Sequence, residues 1–299
     1  MNVLVTGGTG FVGSKVVNAL AGSGHYVRVL ERTPGAWKEA GLACQEAVQG
    51  DLTDPTSLRL AVEGQEAVVH FVAILAGKPA DFRRVMEQGT RNLVQAAQDA
   101  GVRRFVLMSA LGTAEATKDL VPYYHAKWDN EQAVKESGLE YVVFRPSFVF
   151  GRDGGALQRF RRIARLSPVT PIVGPGTQRI QPIWIDDVAA YFVAGLEKPE
   201  ATNRTFEIGG PDVVTWNEFW SRLKEALGAR RPSVHLPFRL MRAQALVLER
   251  LPGPPLTRDQ LTMLAAGDNV VTSADAVDTF ALPLVPLNEQ LRRGAAKDR

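Results

Sequence analysis

Val3-Leu4-Val5-Thr6-Gly7-Gly8-Thr9-Gly10-Phe11-Val12-Gly13 decides the fold. A short apolar run leads into three glycines spaced G-x-x-G-x-x-G, and an amphipathic stretch follows. That order predicts a strand, a tight turn and a helix N-terminus. Gly7 lets the chain turn sharply, Gly10 leaves the backbone open to a diphosphate, and Gly13 lets the helix pack close to the strand. Amide N–H groups and the helix dipole then favour anionic phosphates. The strand before the glycines and the helix after them distinguish this run from a chance triplet. Gly7, Thr9, Gly10, Phe11, Val12 and Gly13 are therefore the expected dinucleotide-binding turn.

Working outward, apolar runs alternate with helical patterns through the first half. Strands are expected at Val27–Leu30, Ala67–Ala73, Arg104–Ser109 and Glu140–Arg145, with a short one before Gly50. Helices are expected at Gly13–Ala21, Pro55–Val62, Phe82–Ala100 and Pro122–Ser137, with Gly101 and Gly138 as C-caps. Apolar strands without strict alternation indicate a parallel sheet covered on both faces. The fold class is α/β, a doubly wound parallel sheet of the Rossmann kind. After Gly151, prolines and glycines mark loops. Ile183–Leu196 returns to a strand-then-helix pattern, Thr205–Ile208 is a short strand, and the chain from Leu236 reads as helical, broken at Pro252-Gly253-Pro254-Pro255. The expected domains are 1–150, rejoined by 180–200, and a smaller, discontinuous C-terminal lobe made of 151–179 and 201–299.

Bulk properties narrow the function. The 299 residues carry 35 Lys and Arg against 32 Asp and Glu, a net charge of +3. So slight an excess, with no aromatic–basic stripe, argues against a nucleic-acid partner. Cys44 is the sole cysteine and excludes an internal disulfide. The four histidines are scattered, which argues against a metal site. No apolar run approaches the roughly 20 residues of a membrane span. The start of the chain lacks the basic-then-apolar pattern of a secretion signal. A cytoplasmic protein is expected, with room for a peripheral place on a membrane.

Several positions follow the cofactor path. Glu31 ends the second strand, where a carboxylate binds ribose hydroxyls and favours NAD. Arg32 beside it suits the extra phosphate of NADP. The pair leaves NAD or NADP open, and a solvated surface ion pair is its plainer reading. Asp51 is placed to meet the adenine amino group and Leu52 to cover the ring. Phe71, Val72 and Ala73 end a strand on the carboxyl side of the sheet, where ligands bind, with plain core strand as the other reading. Tyr123 and Lys127 stand four apart after Pro122, on one face of a helix. The ammonium is expected to lower the phenol pKa, making Tyr123 the general acid or base. Tyr124 is the other register but has no lysine four residues on.

At this point the chain resembles the extended, epimerase-like branch of the short-chain dehydrogenases/reductases. The matching pieces are the glycine turn, Gly50-Asp51-Leu52, Gly89-Thr90-Arg91-Asn92, Tyr123 with Lys127, and Arg145-Pro146-Ser147. Met108-Ser109-Ala110-Leu111-Gly112, Tyr123–Glu131, Gln181-Pro182-Ile183 with Asp186-Asp187-Val188-Ala189, Glu207–Pro211 and Leu251–Leu261 are similar to the family of the nucleotide-binding accessory subunit of mitochondrial complex I and its bacterial relatives. The resemblance implies that Asn92, Met108, Ser109, Pro146, Ser147 and Phe148 join the cofactor path. It also implies a small-molecule substrate between the lobes, near Pro146–Phe148. Extended enzymes carry a second hydroxyl residue where this chain has Ala110; Ser109 or Thr113 is left to polarise the substrate oxygen. Two functions follow: an oxidoreductase or epimerase acting on a carbonyl or alcohol, quinones included, or a structural or assembly factor that holds NAD(P)H without turnover.

Three further stretches have a plain and a sharper reading. Asp186-Asp187 suit a helix N-terminus. Arg159, Arg161, Arg162 and Arg165 form either a solvated helix face or a contact for an anionic substrate, a protein or a membrane surface. Leu236–Leu251 is core packing of the small lobe or a docking patch.

Overall fold

Seven strands form one sheet: β1 (Asn2–Thr6), β2 (Tyr26–Glu31), β3 (Glu46–Gln49), β4 (Ala67–His70), β5 (Arg104–Met108), β6 (Glu140–Pro146) and β7 (Arg204–Ile208). Their order is β7-β6-β5-β4-β1-β2-β3, and every neighbouring pair is parallel. The chain is seen in a computed structural model, which describes residues 1–249 and 256–296. It divides into two compact units. The first comprises Met1–Pro146, Ile185–Ile208 and Ser273–Pro283. The second comprises Ser147–Trp184, Gly209–Thr272 and Leu284–Arg299. Residues 201–208, expected in the smaller lobe, run in the first unit, where Phe206 and Ile208 are buried beside β6.

In the first unit the longer helices are α1 (Phe11–Gly22), α2 (Pro55–Val62), α3 (Gly89–Asp99), α4 (Pro122–Lys135) and α5 (Ile185–Glu197). Crossovers between parallel strands carry them to both sides of the sheet, so the strands bury both faces. Leu4, Leu30, Val68, Leu107 and Val143 pack with Leu58, Leu93 and Val134 of α2, α3 and α4. On another part of the sheet Phe144 meets Tyr191, Phe192, Phe206 and Phe280 at centroid distances of 4.9–6.1 Å. Local chemistry sets the helix ends. The Asp54 carboxylate accepts from Thr56 N ahead of α2, and Pro55 occupies its first turn. Gly101 and Gly138 follow α3 and α4 at φ +70° and +77°. A π-helical stretch, Phe82–Gln88, leads into α3 and buries Phe82 and Met86 against Ala126 of α4. The strand order reverses between β1 and β4, and a ligand crevice is expected at their carboxyl ends.

The second unit is stitched from short strand pairs. Val149–Phe150 runs parallel to Ile183–Trp184, and Thr170–Val173 parallel to Ser233–Leu236. Arg179–Ile180 runs antiparallel to Val214–Thr215. Helices Gly155–Leu166, Trp216–Leu227, Phe238–Leu248, Arg258–Ala265 and Leu287–Ala295 accompany them. Phe160 is its aromatic centre, with Trp216, Phe219 and Trp220 at 5.2–5.4 Å. Strand Ser233–Leu236 was not expected. Its residues are mostly exposed, so pairing with Thr170–Val173 defines it rather than an apolar face. The expected break at Pro252–Pro255, and the matching run from Leu251, lie largely outside the described residues.

Candidate cofactor and active site

The glycine turn is built for close backbone approach. Gly7 has φ +73°, and a Cβ there would lie 3.1 Å from Val72 N. Gly10 N donates to Gly7 O at 3.1 Å. A Cβ on Gly13 would fall 2.2 Å from Gly7 O, an overlap with backbone that no rotamer relieves. Helix α1 has Gly10 at its N-cap, no side-chain cap and no acidic residue in its first turn. No side chain therefore competes with an anion for its first amides. Thr9 and Gly10 are exposed, and Phe11 and Val12 partly so. These residues fit a dinucleotide diphosphate.

At the adenosine end the two charged candidates behave differently. Glu31 is buried, and its carboxylate accepts from Gly35 N at 2.8 Å and Trp37 N at 3.0 Å, one on each oxygen. It anchors the loop after β2. Arg32 is exposed and lines a cavity of about 300 Å³ with Gln49, Gly50, Asp51, Asp54 and Ser57. Asp51 Oδ1 accepts from Thr53 N and Oγ1 at 2.8 and 2.7 Å. Those bonds, then the fields of Arg32 and Arg84, hold its carboxyl below the usual range. Leu52 is buried; a Cβ on Gly89 would fall 2.8 Å from its Cβ, and Asn92 Nδ2 donates to Leu52 O at 2.9 Å. The Gly89–Asn92 motif thus fixes the Asp51–Leu52 turn.

Strand β4 ends at His70, three residues before the expected end. Phe71 N donates to Thr6 O, and Phe71 and Val72 pass over Gly7. Phe71 packs on Phe192 at 4.7 Å, and Ala73 is exposed. His70, which the sequence reading left unassigned, is buried between Thr6 Oγ1 at 2.5 Å and Thr90 Oγ1 at 3.1 Å. Burial, then the Lys127 charge, lowers its pKa to about 3, so the ring is neutral.

Helix α4 presents Tyr123, Lys127, Glu131 and Lys135 at four-residue steps. Lys127 is 2% exposed, and its Nζ donates to Met108 O at 2.6 Å. Burial lowers its pKa to about 8, with Glu131 opposing the shift. Its Nζ lies 5.8 Å from the Tyr123 ring centroid. The expected lowering of the Tyr123 pKa is corrected: burial, with Tyr124 adding to it, raises that pKa. The phenol is accordingly protonated at neutral pH. Tyr124 points elsewhere, with its hydroxyl 3.4 Å from Leu111 O.

Ser109 faces inward. Its Oγ donates to Glu131 Oε1 at 2.6 Å, and Arg145 clamps the same carboxylate from Nε and Nη2 at 2.8 and 2.7 Å. Lys135 Nζ adds a bond at 2.9 Å. Burial alone would raise the Glu131 pKa, but Arg145 and then Ser109 and Lys135 bring it below the ordinary range. Ser109 therefore braces β5 against α4. Ala110 is partly exposed and offers no hydroxyl. Thr113 Oγ1 is buried without a hydrogen-bond partner. Pro146 closes β6, and its carbonyl accepts from Leu111 N at 3.0 Å. Ser147 and Phe148 belong to the second unit, where Ser147 Oγ donates to Asn269 Oδ1 at 2.8 Å and Phe148 packs edge-on against Trp216. The other candidates are all in the first unit. Glu131 escaped the sequence reading as a site residue, although the four-residue step from Lys127 was its visible signal. Among the described residues no group of His, Cys, Asp and Glu is arranged to hold a metal, and no helix is long and apolar enough to cross a membrane.

Residues 7–199 match a family model described as NAD(P)H-binding. A ceramide reductase of Caulobacter vibrioides is 32% identical over 240 residues, covering 79% of this chain and 73% of that protein. The mitochondrial NADH dehydrogenase (ubiquinone) 1 alpha subcomplex subunit 9 of Arabidopsis thaliana is 26% identical, covering 94% and 73%. The crystal structure of the Citrobacter triphenylmethane reductase complexed with NADP(H) superposes with a TM-score of 0.77 at 20% identity, covering 98% of this chain and 99% of that one.

Proposed function

We propose, for a chain that belongs to the NAD(P)H-binding family within the extended short-chain dehydrogenases/reductases, that it is a reductase of an apolar carbonyl compound, quinones included. The observation that carries this reading is the α4 face. Tyr123 keeps its proton at neutral pH, and Lys127 stands one turn on in the unit that holds the uncapped glycine turn. A bound reduced nicotinamide supplies hydride. Tyr123 Oη supplies the proton to the substrate oxygen, so that carbonyl, hydride and proton balance to an alcohol. The Lys127 ammonium sits beside the phenol and stabilises the tyrosinate left after that transfer. Glu131, Arg145 and Ser109 are positioning residues that hold α4 against β5 and β6.

The coenzyme we assign is NADP(H). Glu31 has each oxygen committed to a loop amide, and the exposed Arg32 guanidinium suits a 2′-phosphate. The first unit is the small-molecule, nucleotide-binding part of the protein. The helix of Arg159, Arg161, Arg162 and Arg165 is read as a contact for an anionic partner, which includes a membrane surface. A second reading, an NAD(P)H-binding assembly factor without turnover, draws on Ala110 and the inward Ser109 hydroxyl.

One assay decides between the two. Purified protein is given NADPH deuterated at the transferable position and a panel of apolar aldehydes, ketones and quinones. The enzyme reading expects a product alcohol or quinol, carbon-bound deuterium in the alcohol, and loss of coenzyme absorbance. Bound coenzyme that is never oxidised by any member of the panel supports the assembly factor.

A further inference from the structure

The two units carry opposite charge. The segments of the first hold 17 Lys and Arg against 23 Asp and Glu, a net −6. Those of the second hold 18 against 9, a net +9. The near-neutral total of +3 conceals this division. Such asymmetry points to a polyanion as the partner of the basic side.

Within the second unit the charge is concentrated. Residues 154–184 contain Arg159, Arg161, Arg162, Arg165 and Arg179 and no carboxylate. Residues 226–248 contain Arg230, Arg231, Arg239 and Arg242 and again none. The fold joins these two stretches. Thr170–Val173 pairs with Ser233–Leu236, and Thr170 N donates to Pro232 O at 2.8 Å. Strands this short span only about 13 Å. Arg231 stands two residues before Ser233 and Arg239 three after Leu236, so these arginines flank one short strand, on the scale of one or two Debye lengths of about 8 Å at physiological salt. Asp153, Asp186, Glu225 and Glu249 flank these stretches in sequence; Glu249 accepts from Arg258, and Asp268 pairs with Arg179.

The same region exposes aliphatic side chains. Helix Phe238–Leu248 turns Phe238 to the Gly174 turn and buries Ala245. Its outward side carries Arg239, Arg242 and Ala243 with Leu240 and Leu246, which are 56% and 50% exposed. Leu166, at the end of the arginine helix, is 71% exposed, and Val234 of the strand pair is 38% exposed. A nucleic acid would be met by aromatic platforms, and the exposed apolar groups here are aliphatic. Leucines among arginines on an exposed helix face match the chemistry of a lipid interface.

We infer that this face of the second unit docks on an anionic lipid bilayer, with Leu240 and Leu246 seated below the headgroups and Arg230, Arg231, Arg239 and Arg242 at phosphate level. The inference rests on reading the arginine helix as an anion-facing surface, and it names the partner. Each arginine near such a surface strengthens binding about fivefold.

The full-length protein is sedimented with phosphatidylcholine vesicles, with and without phosphatidylglycerol. Heparin binding is measured in parallel. Binding only to the mixed vesicles is expected, weakening as salt rises. Leu240→Glu with Leu246→Glu abolishes it, and Arg239→Gln with Arg242→Gln lowers it about tenfold or more. Tryptophan fluorescence, from Trp184, Trp216 and Trp220 in this unit, verifies that each variant is folded. Vesicle binding unaffected by the leucine changes, or no vesicle binding, overturns the inference. Heparin binding that is lost in an Arg159→Gln, Arg162→Gln, Arg165→Gln variant, without vesicle binding, overturns the lipid assignment and leaves the anion-facing reading standing. Binding to neither overturns both.

Discussion

The glycine turn and the α4 face do different kinds of work with different materials. The turn is made of backbone. Its function depends on atoms that are missing, and a Cβ at Gly13 would overlap Gly7 O. The α4 face is made of side chains whose orientation decides their role. Ser109 and Tyr123 were both expected to face the reaction, yet the Ser109 hydroxyl donates its hydrogen bond to the buried Glu131 carboxylate. Backbone-built sites tolerate drift in the surrounding side chains. Side-chain-built sites change function when one hydroxyl rotates or is replaced.

The contrast makes graded predictions. Gly13→Val attacks the backbone half. Forcing a side chain into a 2.2 Å gap costs about 1–3 kcal/mol or more, and coenzyme affinity should fall by about 100-fold, read by titration calorimetry. If that variant binds normally, close approach of α1 to the turn is not what holds the diphosphate. Glu131→Ala attacks the side-chain half. It leaves Arg145 without its buried carboxylate partner, and breaking a buried pair costs about 3–5 kcal/mol. The melting temperature should fall sharply, and Glu131→Gln should recover part of the loss. Ala110→Ser restores a hydroxyl at the partly exposed position, and turnover should rise by about tenfold, less than the roughly 100-fold or more that an established oxyanion donor contributes. Unchanged turnover means the substrate oxygen does not approach this position. Arg32→Ala should weaken NADPH by about tenfold and leave NADH unchanged. Equal effects on both coenzymes would remove Arg32 from phosphate recognition.

A pH dependence follows from Lys127. Its folded pKa is about 8 against the ordinary 10.5. Between those values the unfolded chain binds more protons than the folded one, so stability should rise with pH across that window. Turnover should run the other way, falling above about pH 8 as the ammonium beside Tyr123 is lost. Lys127→Met should flatten the stability rise. If the rise persists in that variant, another buried base is responsible.

Much of the first unit could be read from sequence because its signals are local. Apolar runs, the glycine spacing, Pro55 and Pro122 in first helical turns, and Gly101 and Gly138 after helices all act within a few residues. What could not be read depends on partners distant in sequence. Strand Ser233–Leu236 exists because Thr170–Val173 lies beside it. Residues 204–208 join the sheet because β6 offers an edge. That Glu31 accepts from the loop amides of Gly35 and Trp37 depends on the turn after β2, which its position at the strand end does not encode. The direction of the Tyr123 shift turns on burial, which four-residue spacing does not encode. His70 was passed over because Thr6 and Thr90, its partners, stand on different elements.

The most direct test pairs binding with chemistry in Tyr123→Phe. Coenzyme affinity is measured by calorimetry and coenzyme oxidation by absorbance, in that variant and in the native chain, with a substrate found in the carbonyl panel. The expected result is affinity within about tenfold of native and turnover reduced by about 10²–10⁴-fold. Turnover equal to that of the native chain would contradict the assignment of the proton to Tyr123, and with it the reading of α4 as the acid–base face.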